Sequence, residues 1–406
     1  MTGGVAIVGS SHAGVNLAAS LRALGYASEI TIFGEESSPP YQRPPLSKKL
    51  MTTPTGPRPM PLRSPAFFES RAINVVLGTR VLSVDLATGL LETSQQAQVP
   101  FDRVALATGA RARKLDVPGG ELTGVHYLRT LEDAGQLRQH ACDASSAVII
   151  GGGFVGLEVA SSLSAAGKSV TVLESSTQLM GRSLTATTAG FFEKVHRSAG
   201  VDLHLCARVD ALIGQDGHVM GVRLADGTEI PADLVVAGIG AVPRTDLAQQ
   251  MGLELADGIV VDEYARASDP RVVAIGDAAV FPHPLRTGGR TRLESVQNAD
   301  EQATIAANTL LGNLVPYTSA PWFWSDQFGF KLQMVGAPKV VDLEVVRGSP
   351  DGDDLSVLLY SSGRIVGGEF VNCPADFVAV RKAIGAGTHL PPEMACDPGV
   401  PLKSLL

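Results

Sequence analysis

Cysteine is scarce and scattered: 406 residues hold four, at positions 142, 206, 373 and 396, with no Cys-x-x-Cys or similarly close pair. An enzyme that relays electrons from a flavin to a disulfide needs two neighbouring thiols. Thiol-disulfide chemistry is therefore not expected, and each cysteine reads as a small packing or surface residue. The eight histidines lack the spacing of a zinc, iron or haem site, so no metal is expected. Long apolar runs are missing as well. Stretches such as 234–239, interrupted by Gly238, fall far short of the ~18 residues a membrane span requires. The first residues carry no basic segment followed by an apolar one and a cleavage site, because Val5 to Val8 reads as a strand. A cytoplasmic location is the resulting expectation. Excess positive charge is absent too: 33 Lys and Arg face 41 Asp and Glu, a net charge of −8 that disfavours general nucleic-acid binding. The balance is uneven, +4 over residues 1–130 and −12 over the rest, which leaves open a positive face for an acidic partner or plain solvated surface charge.

What the chain does have is glycine in two matching places. Gly9-Ser10-Ser11-His12-Ala13-Gly14 and Gly151-Gly152-Gly153-Phe154-Val155-Gly156 lie 142 residues apart. Each follows an apolar run (Val5 to Val8, Ala147 to Ile150) and precedes a helical pattern closed by a glycine, Gly25 or Gly167. That context marks a dinucleotide fingerprint: glycine permits a tight turn, and the helix N-terminus offers free N–H groups to a pyrophosphate. An acidic residue is expected about 20 residues further on to accept a ribose hydroxyl. In the second unit it is Glu174, followed by Ser175 and Ser176, a pattern that favours NADH over NADPH because a carboxylate repels a 2′-phosphate. In the first unit it is displaced to Glu35 or Glu36. The first unit also departs at Ser11, whose side chain stands where the middle glycine belongs and would crowd a pyrophosphate.

A chain of this length exceeds a single core and implies two or three domains, with 45% apolar residues to fill them. Tyr41 to Leu50 reads as a proline-stiffened turn that delivers basic side chains to a fixed place, and Pro54 to Pro65 as a loop. Phe101 to Ala110 is a strand ending in Thr-Gly; Asp233 to Gly240 mirrors it with Gly-Ile-Gly. Arg271 to Asp277 is a buried strand whose terminal carboxylate sits at the sheet edge where ligands bind. Ser295 to Leu311 is helical. In the tail, Leu355 to Leu359 and Arg364 to Phe370 alternate like adjacent strands, with Ala375 to Ile384 helical behind them.

Together these residues resemble a known family over essentially the whole chain, the FAD-dependent, glutathione-reductase-type ferredoxin reductases such as putidaredoxin reductase and the reductases of biphenyl dioxygenase systems. The likeness is carried by Tyr-Gln-Arg-Pro-Pro-Leu-Ser-Lys at 41–48, Ala-Thr-Gly at 107–109, Leu-Arg-Thr-Leu-Glu-Asp at 128–133 and Gly-Gly-Gly-Phe-Val-Gly-Leu-Glu at 151–158. It continues through Ala-Gly-Ile-Gly at 237–240, Gly-Asp at 276–277, Glu-Ser-Val-Gln-Asn-Ala at 294–299 and Pro-Trp-Phe-Trp-Ser-Asp-Gln at 321–327.

The resemblance implies an α/β protein with two Rossmann-like domains and a small C-terminal α+β interface domain. FAD would take residues 1–110 and 242–320, NAD residues 111–241, and the interface domain residues 321–406. It implies FAD contacts from Ala13, Glu35, Lys48, Val81, Arg129, Asp277 and Val296, beside Gly9, Gly14, Thr108, Gly109 and Glu294. For NAD the set is Gly151, Gly153, Phe154, Val155, Gly156, Glu158, Glu174 and Gly240, and Trp324 is expected to contact a cofactor as well as the docking face. Lys48, reaching the flavin ring, and Glu158, near the nicotinamide, are the expected catalytic residues. The implied activity is hydride transfer from NADH to FAD and then single electrons to an acidic two-iron two-sulfur ferredoxin that feeds a haem monooxygenase or a ring dioxygenase. Trp324, Arg63, Lys331 and Lys403 would mark the docking face; Thr304 and Gln333 occupy positions that are basic in putidaredoxin reductase. The expected assembly is a monomer or weak dimer. Two other readings stay open: an NADH reductase for rubredoxin or quinone, and a redox-sensing flavoprotein resembling apoptosis-inducing factor.

Overall fold

The computed structural model describes residues 3–48, 59–283, 285, 289–336 and 338–406. Lys49 and Leu50 of the basic turn and residues 54–58 of the proline-rich segment lie outside the described residues. Among those described, six helices reach twelve residues: α1 His12–Ala23, α2 Leu131–Asp143, α3 Phe154–Ala165, α4 Ala186–Ser198, α5 Val296–Leu310 and α6 Pro374–Ala386.

Two five-stranded parallel sheets repeat one plan. In the first, the strand Val5–Val8 is central, flanked by Ile30–Phe33 and then Ile73–Val76 on one side, and by Arg103–Leu106 and then Val272–Ala274 on the other. In the second, Ser146–Ile150 is central, with Ser169–Leu173 and Asp202–His204 on one side and Leu234–Ala237 and Val125–His126 on the other. The central strands are buried at nearly every position, as expected where helices cover both faces of a parallel sheet. The second sheet hangs from the first by a short ribbon in which Ala110–Ala112 pairs antiparallel with Ala241–Pro243, so the chain leaves and returns at one point. The first sheet is completed only by Val272–Ala274, after that return.

The tail forms a five-stranded antiparallel sheet in the order 322–327, 330–336, 364–371, 355–361, 343–348. The expected alternation fails on Leu355–Ser361, which is buried at six successive positions. Both faces of that strand are covered. Leu355, Val357 and Leu359 share a core with Phe191 and Phe192 of α4, while Leu358 and Tyr360 pack with Phe377 and Val380 of α6. The buried carboxyl of Glu369 adds a polar tie, accepting from Thr185 N and Thr185 Oγ1 at 2.8 Å each at the start of α4.

Both glycine loops show why their last glycine is required. A Cβ on Gly14 would stand 1.9 Å from the Gly9 carbonyl oxygen, and one on Gly156 would stand 2.3 Å from that of Gly151. We expect Gly14→Ala to cost about 1–3 kcal/mol in urea unfolding through this overpacking. Gly190→Ala, inside α4 with open space around its position, should instead gain roughly 0.5–1 kcal/mol. Equal unfolding midpoints for Gly14→Ala and wild type would contradict this packing.

Candidate functional site

The carboxyl ends of both parallel sheets open into one cavity of about 2160 Å³. Ligands in open α/β sheets bind at that edge, between the central strand and the strand that reverses the order. Here the two glycine loops reach those neighbours: Cβ atoms on Gly9 (φ +122°) and Gly151 (φ +105°) would collide with the carbonyl oxygens of Ala107 and Gly238, at 2.1 and 2.6 Å. Gly153 differs, because nothing in the protein lies within 3.9 Å of its missing Cβ. Its bareness leaves open space on the cavity side.

Neither helix that follows a glycine loop is capped by a side chain, whereas Thr130, Thr185 and Ser295 cap α2, α4 and α5. Their first-turn N–H groups face the cavity carrying the positive end of a helix dipole. Two bare helix starts in a glycine cradle fit two pyrophosphates, so the residues present suit a pair of dinucleotides.

Of the cofactor residues named from the sequence, all but Gly14 line this cavity, and Gly14 lies beneath its own loop. Glu174 lies beside the second loop. Its Oε2 accepts from Gly152 N at 2.7 Å and its Oε1 from Ser176 N at 2.7 Å. Burial alone would raise its pKa, but the N–H groups of Ser176 and Gly152 outweigh that and hold the carboxyl below its ordinary value. In the first unit Glu35 faces Arg244 at 2.5 Å, while Glu36 binds Arg43 at 2.6 Å and accepts from the Tyr41 hydroxyl at 2.5 Å. Asp277 pairs with Arg129 at 2.7 Å, against Gly109. Thr108 Oγ1 donates to the Arg244 carbonyl at 2.7 Å, and Glu294 pairs with Arg292. Val81 and Val296 supply apolar wall.

Lys48 and Glu158, expected separately at the flavin and the nicotinamide, form one ion pair at 2.9 Å. The Glu158 side chain is 4% exposed. Besides Lys48, its Oε1 accepts from Ser325 Oγ at 2.6 Å, and its Oε2 from Ser47 Oγ at 2.5 Å. Phe154 packs on Phe323 with ring centroids 4.7 Å apart, closing the same end of the cavity with apolar surface. None of the four cysteines lines the cavity, and all are free thiols.

Three residues outside the expected set belong to the site. His12, in the first turn of α1, is buried. Burial, then the charges of Arg43 and Arg129 against the opposing Asp277, push its pKa down to about 4. Arg43 binds four partners, and Ser325 holds Glu158. Arg43 and Ser325 sit inside the quoted motifs; His12 had only its place in the glycine loop to mark it.

A second cavity, about 730 Å³, lies against the first and shares His12, Pro44, Lys48, Val296 and Trp324 with it. Arg63 lines it, donating to Asn16 Oδ1 at 3.3 Å, and Asn16 in turn donates to Asp300. Lys331, opposite Asp326 on the neighbouring strand, and Lys403 lie outside its lining.

Residues 3–303 match the family model for the pyridine nucleotide-disulphide oxidoreductases, and residues 322–406 match one described as the reductase C-terminal domain. The chain is 42% identical to rhodocoxin reductase of Rhodococcus erythropolis, over 98% of this chain and 93% of that one. It is 38% identical to a rubredoxin-NAD(+) reductase of Pseudomonas putida, over 95% and 99%. The crystal structure of the ferredoxin reductase for the CYP199A2 system of Rhodopseudomonas palustris superposes with a TM-score of 0.96 at 39% identity, covering 99% of each chain. Among the described residues no helix is long and apolar enough to cross a membrane.

Removing the Glu158 carboxylate strands Lys48. Glu158→Ala should cost about 3–5 kcal/mol in chemical denaturation, and Glu158→Gln, which keeps hydrogen bonds to Ser47 and Ser325, clearly less. Equal losses would mean that the hydrogen bonds to Ser47 and Ser325 add nothing to the charge pair, and a Glu158→Gln variant as stable as wild type would mean that the charge pair itself contributes nothing.

His12 adds an acid sensitivity. Its folded pKa lies below the unfolded 6.5, so only the unfolded chain takes up the proton between those values. Stability is full above about pH 6.5 and drains as pH falls towards 4, by about 2 kcal/mol at pH 5. Denaturation curves at pH 7 and 5 should differ less in His12→Gln than in wild type; an unchanged difference would remove His12 as the cause.

Proposed function

This chain belongs to the pyridine nucleotide-disulphide oxidoreductase family, which works with FAD and a nicotinamide nucleotide, and from that membership we propose that it is a cytoplasmic NADH-dependent reductase serving a two-iron two-sulfur ferredoxin. The single observation that carries this reading is that two glycine-loop sites open into one thiol-free cavity that shares a wall with a second, surface cavity. Bound FAD supplies the change from a two-electron hydride donor to a one-electron acceptor, and the protein fixes distance and polarity.

The residues divide the work as follows. The FAD segments are 1–110 and 242–320, with the Gly9 loop under the diphosphate, Glu35 towards the adenosine ribose, and Asp277, oriented by Arg129, towards the ribityl chain. Residues 111–241 take NADH. Glu174, kept ionised by its N–H partners, accepts the adenosine ribose hydroxyls and repels a 2′-phosphate. Lys48 holds positive charge beside the flavin ring, and Glu158 anchors Lys48 at that place. Phe154 and Phe323 exclude water from the end where the two cofactors meet. Residues 321–406 present Trp324 on the wall between the cavities, so a partner seated in the outer cavity lies one side chain away from the inner one. Relatives named for rhodocoxin and for rubredoxin match this chain at similar identity, and the ferredoxin assignment is supported by Arg63 and Lys48 in the lining of the outer cavity and by the likeness to the ferredoxin reductase of the CYP199A2 system.

The purified protein should be yellow, bleach on mixing with NADH, and reduce putidaredoxin faster than rubredoxin or a short-chain quinone. Preference for rubredoxin would overturn the acceptor; a colourless protein that never bleaches would overturn the whole reading. Glu174→Ala should raise the KM for NADH about tenfold, the worth of a hydrogen bond to a charged group, and narrow the preference over NADPH. An unchanged NADH/NADPH ratio would dismiss Glu174 as the discriminator.

A further inference from the structure

Ser11 replaces the middle glycine of the first fingerprint and starts α1 as its N-cap residue, in an extended conformation with φ −106° and ψ −162°. Serine is among the best N-caps, its hydroxyl normally accepting from an N–H two or three residues on. Thr130, Thr185 and Ser295 do this in α2, α4 and α5, accepting at 3.1, 3.3 and 3.0 Å. Ser11 does not cap. Its hydroxyl oxygen instead accepts from Arg43 Nε at 3.1 Å.

Arg43 is well placed to hold it. One terminal nitrogen donates to the Arg129 carbonyl at 2.6 Å and to the Tyr41 hydroxyl at 3.3 Å, and the other to Glu36 Oε1 at 2.6 Å. All three guanidinium nitrogens are thus engaged, and the two prolines that follow, Pro44 and Pro45, open a short 3₁₀ turn that stiffens the backbone beyond it. A serine at this position is a hazard for a diphosphate site, because a hydroxyl that swung onto the helix start would occupy the N–H groups an anion needs.

We propose that Arg43 restrains Ser11 from capping its own helix, which keeps the first turn of α1 open to the FAD diphosphate. The inference rests on the reading that FAD occupies the first glycine loop. Arg43 and Ser11 are positioning residues here, and the fingerprint works without its middle glycine because a side chain from another segment takes over the task of keeping the loop clear.

The test is a double-mutant cycle on FAD affinity, measured by fluorescence titration of flavin-stripped protein, with urea unfolding of the same samples. Arg43→Ala should weaken FAD binding about tenfold or more, since it loses charge-assisted contacts and frees the hydroxyl. Ser11→Gly alone should change affinity by no more than about threefold, because Ser11 does not cap the helix while Arg43 holds it and glycine has no hydroxyl that could. The double variant should recover about fivefold of what Arg43→Ala lost, the worth of one competing cap. Arg43→Lys keeps the charge beside Glu36 but lacks the Nε donor, and serves if Arg43→Ala does not fold; Ser11→Gly should rescue it in the same direction. A purely structural role for Arg43 would leave the double variant as weak as Arg43→Ala, or weaker, and would overturn the proposal. Wild-type protein that takes up no FAD would overturn the FAD reading and this inference with it. Wild-type binding without rescue would overturn the inference alone.

Discussion

One buried carboxylate ties the molecule's parts together. Glu158 sits on α3, beside the second glycine loop, and its partners come from elsewhere: Ser47 and Lys48 from the basic turn of the first unit, Ser325 from the antiparallel sheet. An ionised group at this depth is tolerable only when both oxygens are paired, and no single segment provides enough partners. The carboxylate therefore finds its full complement of partners only when three distant stretches of chain are in place. Since they meet at the wall of the cavity, the geometry of the site and the assembly of the fold are one constraint.

The same logic runs along the cavity. Four of the cations lining it are held by carboxylates: Lys48 by Glu158, Arg129 by Asp277, Arg43 by Glu36, and Arg244 by Glu35. Pairing fixes these side chains before any nucleotide arrives, so little ordering remains to oppose binding. It also lowers the net positive charge of the site, so that the proposed diphosphate contacts would fall more heavily on the uncapped starts of α1 and α3. The exposed Arg244–Glu35 pair contributes little stability by itself. The half-buried pairs beside the glycine loops set geometry.

Much of this was legible in the sequence, for reasons that differ by element. The parallel strands announced themselves because a strand covered on both faces must be apolar throughout, as in Val5–Val8 and residues 147–150. The glycine loops were legible because steric demands on Gly9, Gly14, Gly151 and Gly156 leave no alternative residue. Three things were not. The alternation read in Leu355–Leu359 gave way to burial on both faces, since which helices cover a strand is decided far away in the chain. Lys48 and Glu158, 110 positions apart, were each given a cofactor to face, and their mutual contact is a product of tertiary packing. His12 carried no local signal, as its depressed pKa comes first from burial and then from the charges of Arg43 and Arg129, all of which arise only in the fold.

The strand Trp322–Gln327 shows how an antiparallel sheet of ordinary plan is made to serve two cavities. Successive side chains point to opposite faces. Phe323, Ser325 and Gln327 turn inward, to Phe154, Glu158 and His196 respectively. Trp322 and Trp324 turn the other way and pack on each other at 5.6 Å, with Trp322 anchored on Phe377 and Trp324 and Asp326 lining the outer cavity. A slip of one residue would exchange the two sets, placing indoles against the buried carboxylate and a serine on the outer wall. The Ser325–Glu158 and Gln327–His196 bonds oppose it, because a shifted register leaves the buried glutamate short of a donor. The polar contacts of the inward face are thus what hold Trp324 on the partition between the two cavities.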